Sequence, residues 1–257
     1  MCSSDLQHRS HLQKLVEERT EEIDAINRQL QESLGKEKEL NNLKSRFIST
    51  ASHEFKTPLT AILSSTELIQ RYRSNWSEEK IDQYLNRIKG SVSYLTKLTD
   101  DVLLVNRIEA GRETFRPSNT NLLDLCSRVI QDQKILMKEK HRLEFDYRLK
   151  KDVHCVDPKQ MELIIHNLLS NAVKYSPRGG VINFSIETDG KGILIKVADQ
   201  GIGIPESEQS RLFETFFRAK NAEGMQGTGL GLSIVKHAVS MHGGTIDFES
   251  EEGKGTA

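Results

Sequence analysis

Apolar residues recur at every third or fourth position in the first half of the chain, which predicts long amphipathic helices. One face runs through the stretch from position 47 to position 63 and comprises Phe47, Ala51, Phe55, Leu59 and Ile62. A second helix follows Ser77, a good N-cap residue, and is expected to end near Gly111. Its apolar face comprises Ile81, Leu85, Ile88, Val92, Leu95, Val102 and Val105. Two antiparallel helices with one apolar stripe each cannot enclose a core, so we expect two copies to form a dimeric four-helix bundle.

The segment from His11 to Leu43 is highly charged, free of proline and compatible with a heptad repeat. Its apolar seam comprises Leu12, Val16, Ile23, Ile26, Leu30, Leu40 and Phe47. Polar residues interrupt the seam at Arg19, Ser33, Glu37 and Lys44. Because so polar a helix is poorly stable alone, we expect a parallel coiled coil that leads directly into the next helix. The polar seam positions would permit more than one register, as a signal-carrying linker requires.

Helix and strand patterns alternate after Pro117, which lies in a cluster of turn-forming residues and marks a predicted domain boundary. Predicted helices cover Leu122–Lys138, the stretch to Tyr175 that Asp157 and Pro158 begin, and Leu230–His242. Predicted strands cover Leu143–Leu149, Val153–Val156, Val181–Thr188, Ile193–Ala198 and Thr245–Glu249. This mixture predicts a two-layer α/β sandwich, so the fold class of the whole chain is α+β.

Composition narrows the class of protein. The chain has 257 residues, 28% of them charged and 36% hydrophobic, with a net charge of −1, which argues against a basic nucleic-acid-binding protein. Three scattered cysteines without metal-ligand spacing favour a reducing, cytoplasmic location. No stretch approaches 18 consecutive apolar residues, so we expect no membrane contact by this fragment. A membrane anchor elsewhere in a longer parent protein stays open.

The first helix carries polar side chains that could act as a nucleophile and its supporting groups. His53 and Glu54 are consecutive, about 100° apart on the helix, and Thr57 lies one turn after His53 on the same side. A carboxylate that holds one imidazole nitrogen leaves the other free as a nucleophile. Pro58 removes the helical partner of the Glu54 carbonyl, so a local bend is expected. Taken alone, these residues also fit a solvated surface pair.

A helix of the second half presents amide side chains on one face. Asn167, Asn171 and Lys174 share that face, in the sequence Asn-Leu-Leu-Ser-Asn-Ala-Val-Lys-Tyr that ends at Tyr175. Neutral amide oxygens suit a magnesium ion that already carries phosphates and water, and the lysine adds positive charge. Ordinary polar surface is the alternative if this cluster stands alone.

Two glycine clusters follow the amide helix. Asp199 comes directly after a predicted strand and is followed by Gly201 and Gly203. Its carboxylate could accept a hydrogen bond from the exocyclic amine of a flat ring, and the glycines would let the backbone approach that ring. Gly227, Gly229 and Gly231 open a predicted helix, whose free amides suit phosphate. A single glycine cluster is weak evidence, and neither one has the spacing of a Rossmann or P-loop motif.

Considered together, these motifs resemble those of a known family. The stretch from Phe47 to Leu59 resembles the phosphoacceptor box of sensor histidine kinases. The amide helix and both glycine clusters, in this order, resemble the ATP-binding fold shared by histidine kinases, heat-shock chaperones and mismatch-repair ATPases. Between the glycine clusters, Leu212–Arg218 resembles the kinases' aromatic box, and Ala219–Gln226 would be a mobile lid. The resemblance covers roughly residues 43–257.

The resemblance implies a mechanism. His53 would attack the γ-phosphate of ATP through Nε2, Glu54 would hold the other ring nitrogen as general base, and Thr57 would orient water for dephosphorylating a partner. Asn171 would hold Mg²⁺, and Asp199 would select adenine. The phosphoryl group would pass to an aspartate of a response-regulator receiver domain. The implied ATP-binding residues are Asn167, Asn171, Lys174, Tyr175, Asp199, Gly201, Gly203, Arg218, Gly227, Gly229 and Gly231.

The same resemblance gives a domain plan. Residues 1–42 are expected to form a coiled-coil signalling linker, of which 1–6 would be non-native because Cys2–Leu6 can be back-translated to a common sequencing adapter. Residues 43–112 would form the dimerisation and phosphotransfer domain, and 117–257 a C-terminally truncated catalytic domain with an exposed sheet edge. An upstream sensor module would be missing from this chain. Two rival functions remain: a non-kinase ATPase of the same superfamily, and a catalytically idle scaffold.

Overall fold

A computed structural model describes residues 19, 26–31, 33–35, 38, 49, 51–137, 139–188, 190, 192–222, 224–225 and 227–257. The chain divides into two compact units, Met1–Ser52 and His53–Ala257. The described residues of the first unit are helical, and Ile26 and Leu30, two predicted seam positions, are 56% and 55% exposed. Most of the predicted coiled coil lies outside the described residues, so it stays a prediction.

Two helices begin the second unit. Helix α1 comprises the helical residues 53–72 of this unit, a 3₁₀ turn follows at Arg73–Asn75, and α2 spans Glu78–Glu109. Ser77 caps α2 by accepting a hydrogen bond from the Lys80 amide, as its sequence predicted. The rings of Tyr72, Trp76 and Tyr84 stack across the connection, with centroids 5.7 and 4.8 Å apart. Among the described residues, no helix is both long and apolar enough to cross a bilayer.

A three-stranded sheet forms one layer of the second half. Its strands are β2 (His141–Tyr147), β4 (Gly180–Thr188) and β5 (Ile193–Ala198), with β4 in the centre. Strands β2 and β4 run parallel, whereas β4 and β5 run antiparallel. Two shorter pairs accompany this sheet: β1 (Ser118–Asn121) with β3 (Val153–Val156), and β6 (Ser250–Glu251) with β7 (Gly255–Thr256).

Helices form the other layer because their apolar faces pack on the sheet. They are α3 (Leu122–Leu136), α4 (Pro158–Lys174) and α6 (Gly231–Met241); a short α5 (Glu206–Gln209) and a 3₁₀ turn (Lys220–Ala222) lie in the loops. The main core contains Leu122, Leu125, Cys126, Val129, Ile130, Val156, Met161, Ile165, Leu169, Ala172, Ile182, Phe184 and Ile186. Helix α6 packs on α4 through Ile164, Val235 and Ala238. The predicted two-layer α/β sandwich is therefore confirmed.

The segment between α2 and β1 is fixed to the sandwich. The backbone amide of Arg116 donates to the Asp157 carboxylate at 2.7 Å, and the same carboxylate caps α4 through the amides of Lys159 and Gln160. The ring of Phe115 meets that of His242 edge-on, with centroids 4.8 Å apart. The start of the sandwich is thus tied to both α4 and the end of α6.

The prediction of a strand at Thr245–Glu249 was wrong. These residues alternate in exposure as a strand would, but the ladder forms further along, where β6 at Ser250–Glu251 pairs with β7. Only Glu249 contributes, by exchanging two backbone hydrogen bonds with Ala257. Periodicity reports which side chains face inward, whereas a ladder requires a neighbouring strand. Strand β5 correspondingly has β4 as its only ladder partner among the described strands.

Candidate functional site

His53 lies on an open face of α1. Its side chain is exposed, and its ring makes no hydrogen bond with any described residue. Thr57 lies one turn later, and its hydroxyl donates to the backbone carbonyl of His53 at 3.2 Å. An exposed imidazole can reach a reagent that approaches from outside the hairpin, which a nucleophile requires.

The Glu54 carboxylate does not hydrogen-bond the His53 ring, although the sequence suggested that it would hold one ring nitrogen. Its carboxylate accepts a hydrogen bond from the hydroxyl of Tyr94 on α2 and pairs with the Arg218 guanidinium at 3.1 Å. The two consecutive side chains point about 100° apart, so one faces outward while the other faces α2. The structure therefore brings Glu54 together with Arg218, another predicted site residue, and leaves His53 separate.

Helix α4 carries the predicted amide face. Leu169 is buried in the core, and its packing turns Asn167, Asn171 and Lys174 toward a cavity on the opposite side of the helix. The Asn167 side-chain amide donates to the Leu163 carbonyl at 2.9 Å, which leaves its Oδ1 available. The Asn171 side chain has no hydrogen-bond partner within the described part of the chain. Both asparagines can therefore offer oxygen atoms to the cavity.

Lys174 ends α4 beside Tyr175. Its ammonium group donates to the Tyr175 hydroxyl at 2.6 Å and lies 4.1 Å from the centroid of that ring. Burial, followed by the positive charge of Arg218, lowers the pKa of Lys174 to about 8. A buried lysine next to a second cation favours a bound anion, which would relieve both effects.

Asp199 follows β5 at the edge of the cavity. Its carboxylate accepts a hydrogen bond from the Gly201 amide at 2.8 Å, while burial raises the pKa of this carboxyl. Gly201 and Gly203 are both buried. A side chain at Gly201 would collide with the Tyr175 carbonyl, and one at Gly203 with the Glu251 carbonyl. These glycines shape the loop that holds Asp199, although Gly201 itself does not line the cavity.

The second glycine cluster leads into α6. Leu230 is the N-cap residue and provides no side-chain cap, so the first amides of the helix are available to an anion. A Cβ atom at Gly227 would meet the Lys174 ammonium, and one at Gly231 would lie 2.8 Å from the Asn167 Oδ1. The glycines thus leave room directly against the polar face of α4.

Arg218 connects the cavity to the predicted lid. Besides Glu54, it binds the backbone carbonyls of Ala222 (3.1 Å) and Met225. Asn221 of the same segment donates to the Gly203 carbonyl at 2.9 Å. The described part of the lid is therefore held over the Asp199 loop. Its mobility stays a prediction.

The polar face of α4, the Asp199 loop, Arg218 and the glycines before α6 surround one cavity of 1440 Å³, which is large enough for a nucleotide. Every predicted ATP-binding residue except Gly201 lines it. The sequence did not identify four α2 residues that also line this cavity: Tyr94, Lys97, Leu98 and Asp101. The sequence held a partial signal for them, because Leu98 continues the apolar spacing of α2. In the structure this side chain is 1% exposed.

The donor set fits a magnesium ion that arrives with phosphates. Asn171 faces the cavity with an uncommitted amide, and neutral oxygen ligands are typical for such an ion. Among the described residues, no group of three or more His, Cys, Asp or Glu side chains could hold a metal. The nucleotide itself would have to supply most of the ligands.

Comparison with protein families gives two matches. Residues 43–111 match the His Kinase A (phospho-acceptor) domain. Residues 156–257 match the histidine kinase-, DNA gyrase B- and HSP90-like ATPase family. The first match contains His53, Glu54 and Thr57, and the second contains every predicted ATP-binding residue.

Individual proteins agree with these matches. The circadian input-output histidine kinase CikA of Synechococcus elongatus is 34% identical over 250 residues, which cover 95% of this chain and 32% of CikA. The sensor histidine kinase WalK of Bacillus subtilis is 32% identical over 227 residues, 86% of this chain and 36% of WalK. The chain thus spans about a third of the length of these curated relatives. The structure of full-length ShkA in complex with AMPPNP superposes with a TM-score of 0.58 at 25% identity, covering 81% of this chain and 43% of ShkA.

Proposed function

Because the chain belongs to the sensor histidine kinases, with a phosphoacceptor domain followed by the ATPase domain of that family, we propose that it phosphorylates its own His53 with ATP. The observation that carries this proposal is the pairing of an exposed imidazole with a nucleotide-sized cavity inside one compact unit. ShkA, which is similar to this chain, was solved with an ATP analogue, and this supports ATP as the phosphate donor.

The residues of the cavity have distinct roles in this proposal. Asp199 accepts a hydrogen bond from the adenine amine, which guanine lacks at that position. Lys174, Arg218 and the first amides of α6 neutralise the triphosphate. Asn171 would hold Mg²⁺, which would supply positive charge to the phosphates, and Asn167 would orient the triphosphate. Tyr175 positions the Lys174 ammonium through their hydrogen bond.

In the proposed phosphoryl transfer, His53 is the nucleophile. Its Nε2 forms a bond to the γ-phosphorus while the bond to the bridging oxygen breaks, and ADP leaves. Glu54 takes the proton from the other ring nitrogen and acts as general base. For this step its carboxylate must turn away from Tyr94 and Arg218, which hold it in this structure.

Transfer onward and dephosphorylation extend the proposal to a partner. The phosphoryl group passes from His53 to an aspartate of a receiver domain, which this chain does not contain. Thr57 lies one turn from His53 on the same helix and is exposed, so its hydroxyl can orient water for removing phosphate from that partner. Both steps, like the cytoplasmic location, are predictions about the full-length protein.

A homodimer is part of the proposal. Large apolar side chains of the hairpin remain exposed in the single chain: Leu59, Leu63, Leu85, Val92 and Leu103, between 40% and 60% exposed. They lie on α1 and α2, where a second hairpin could cover them and complete a four-helix bundle.

One experiment separates the kinase from its two rivals. The chain is incubated with γ-labelled ATP and Mg²⁺, and the acid and base stability of any protein-bound label is measured. A phosphohistidine is acid-labile and base-stable, and we expect this label in the wild type but not in His53→Gln. Nucleotide binding should survive in that variant, because His53 does not line the cavity. Label that persists in His53→Gln would remove His53 as acceptor. ATP hydrolysis without label would favour the non-kinase ATPase, and absence of both would favour the scaffold.

A further inference from the structure

The Glu54 carboxylate is held by two donors from distant parts of the chain. Tyr94 contributes its hydroxyl from α2, and Arg218 contributes a guanidinium nitrogen at 3.1 Å. The Glu54 and Arg218 side chains are only 18% and 22% exposed, so water competes weakly for this pair. Burial, followed by the hydrogen bond to Glu54, raises the pKa of Tyr94, so the phenol keeps the proton that it donates.

Arg218 has a second set of partners at the lid. The same guanidinium binds the carbonyls of Ala222 and Met225, and its charge lowers the pKa of the nearby Lys174. A triphosphate bound at Lys174 would therefore compete with Glu54 for Arg218. The arginine cannot fully serve both anions at once, because its donors have fixed directions.

Tyr94 lies where α2 faces the sandwich. Its neighbours Lys97, Leu98 and Asp101 line the nucleotide cavity, and Leu98 is buried to 1% exposure. Helix α2 also packs against α6, which begins at the phosphate-binding glycines. Tyr94 is itself partly buried, and its hydroxyl donates to Glu54 and to no other described residue.

We propose that Tyr94 is a positioning residue which, with Arg218, withholds Glu54 from His53 until bound triphosphate draws Arg218 away. This inference rests on the proposed function, because it assumes that Glu54 acts on His53. The inference adds Tyr94, which lies outside the sequence motifs, to the residues that control the reaction. It also explains why His53 would not react before nucleotide binds. The Glu54–Arg218 pair is then an autoinhibitory contact.

The first test removes a single hydroxyl. Tyr94→Phe keeps the ring and its packing but deletes one of the two donors to Glu54, so we expect autophosphorylation to be about fivefold faster at saturating ATP. The matched control is Tyr84→Phe on the same helix, whose hydroxyl has no hydrogen bond within the described part of the chain. The control rate should equal that of the wild type. An unchanged or slower Tyr94→Phe would overturn the proposal.

A double mutant shows whether Tyr94 acts through Glu54. Glu54→Gln should slow autophosphorylation because it removes the base. In that background Tyr94→Phe should have no further effect, since the group that it releases is absent. Equal acceleration by Tyr94→Phe in both backgrounds would show a general packing effect and would refute the positioning role.

The third measurement does not depend on phosphoryl transfer. In a His53→Gln background, Mg·ATP affinity is titrated with and without Glu54→Gln. Loss of the carboxylate frees Arg218, so we expect about fivefold tighter binding. Unchanged or weaker binding would overturn the competition for Arg218. If the wild type acquires no label on His53, the proposed function fails, while this titration still decides whether Arg218 is shared.

Discussion

Lys174 lines the part of the cavity where phosphate is expected to bind, and the charge of its side chain depends on pH near neutrality. Its pKa is lowered to about 8 by burial and by Arg218. In the free protein the ammonium therefore loses its proton as the pH rises above about 8. A bound triphosphate would restore the charge, so binding takes up a proton in this range. The same linkage makes the unfolded chain bind more protons above about pH 8, so this group raises the stability of the nucleotide-free protein as pH increases there.

We therefore predict that nucleotide affinity falls as pH rises from about 7 to about 9.5, by at most about tenfold per pH unit above the pKa. Lys174→Arg keeps its charge throughout and should bind with nearly constant affinity over this range. The measurement is an equilibrium titration with a fluorescent ATP analogue. Lys254→Arg, at an exposed turn, should retain the wild-type pH dependence. A decline as steep in Lys174→Arg as in the wild type would assign the effect to another group.

Local sequence predicted which side chains of α4 face one cavity, but not all of the contacts in the site. Asn167, Asn171 and Lys174 face one cavity because helical spacing and an apolar opposite face decide their direction. The Tyr94–Glu54 hydrogen bond joins residues 40 positions apart. It depends on how α2 is rotated against α1, which no short motif encodes.

The aromatic segment and the glycine loop before α6 form one contact. The Phe216 amide donates to the Gly229 carbonyl at 3.0 Å, and both residues have positive φ, 66° and 72°. A bulky residue in this region is uncommon and requires support from its surroundings. A Cβ atom at Gly229 would lie 2.8 Å from Phe216 and Phe217 backbone atoms, so only glycine allows this approach.

We predict that Gly229→Ala lowers nucleotide affinity by about fivefold or more, because about 1–3 kcal/mol of overpacking would displace the loop or the aromatic segment. Gly111→Ala is the matched control, since Gly111 also has positive φ (62°) but has open space around it and does not line the cavity. Both variants should lose about 1 kcal/mol of unfolding free energy in urea from the backbone conformation. Equal nucleotide affinity in the two variants would show that the Gly229 contact is unimportant for binding.

The sequence predicted the helices and the inner strands of the sandwich correctly, but it misplaced the last strand. Asp157 caps α4 as predicted, because capping is a local interaction of a side chain with nearby amides. Strands β3 and β5 have the predicted bounds. The ladder after α6 begins at Ser250 instead of Thr245, because its position depends on where the following residues fold back.

The whole molecule exposes an apolar stripe that should mediate dimerisation. Leu63 on α1 is 60% exposed and is the most exposed of its large apolar side chains. We predict that Leu63→Glu converts a dimer into a monomer, weakening association by at least about 100-fold, because a buried unpaired charge is strongly disfavoured. Analytical ultracentrifugation measures the change. Val153→Glu, at a 54% exposed position of β3, should remain dimeric. A dimeric Leu63→Glu variant would place the interface elsewhere.

The anchoring of Phe115 and Arg116 to the sandwich limits how far the ATP-binding part can travel. Only residues 110–115 separate the end of α2 at Glu109 from the hydrogen bond of Arg116 to Asp157. Six extended residues span about 20 Å, and the 15 residues from Tyr94 to Glu109 measure about 22 Å along the helix. A short linker with its fixed point near the end of α2 therefore limits where the bound nucleotide can be carried. A histidine more than a few helical turns farther along α1 would be out of range, whatever its chemistry.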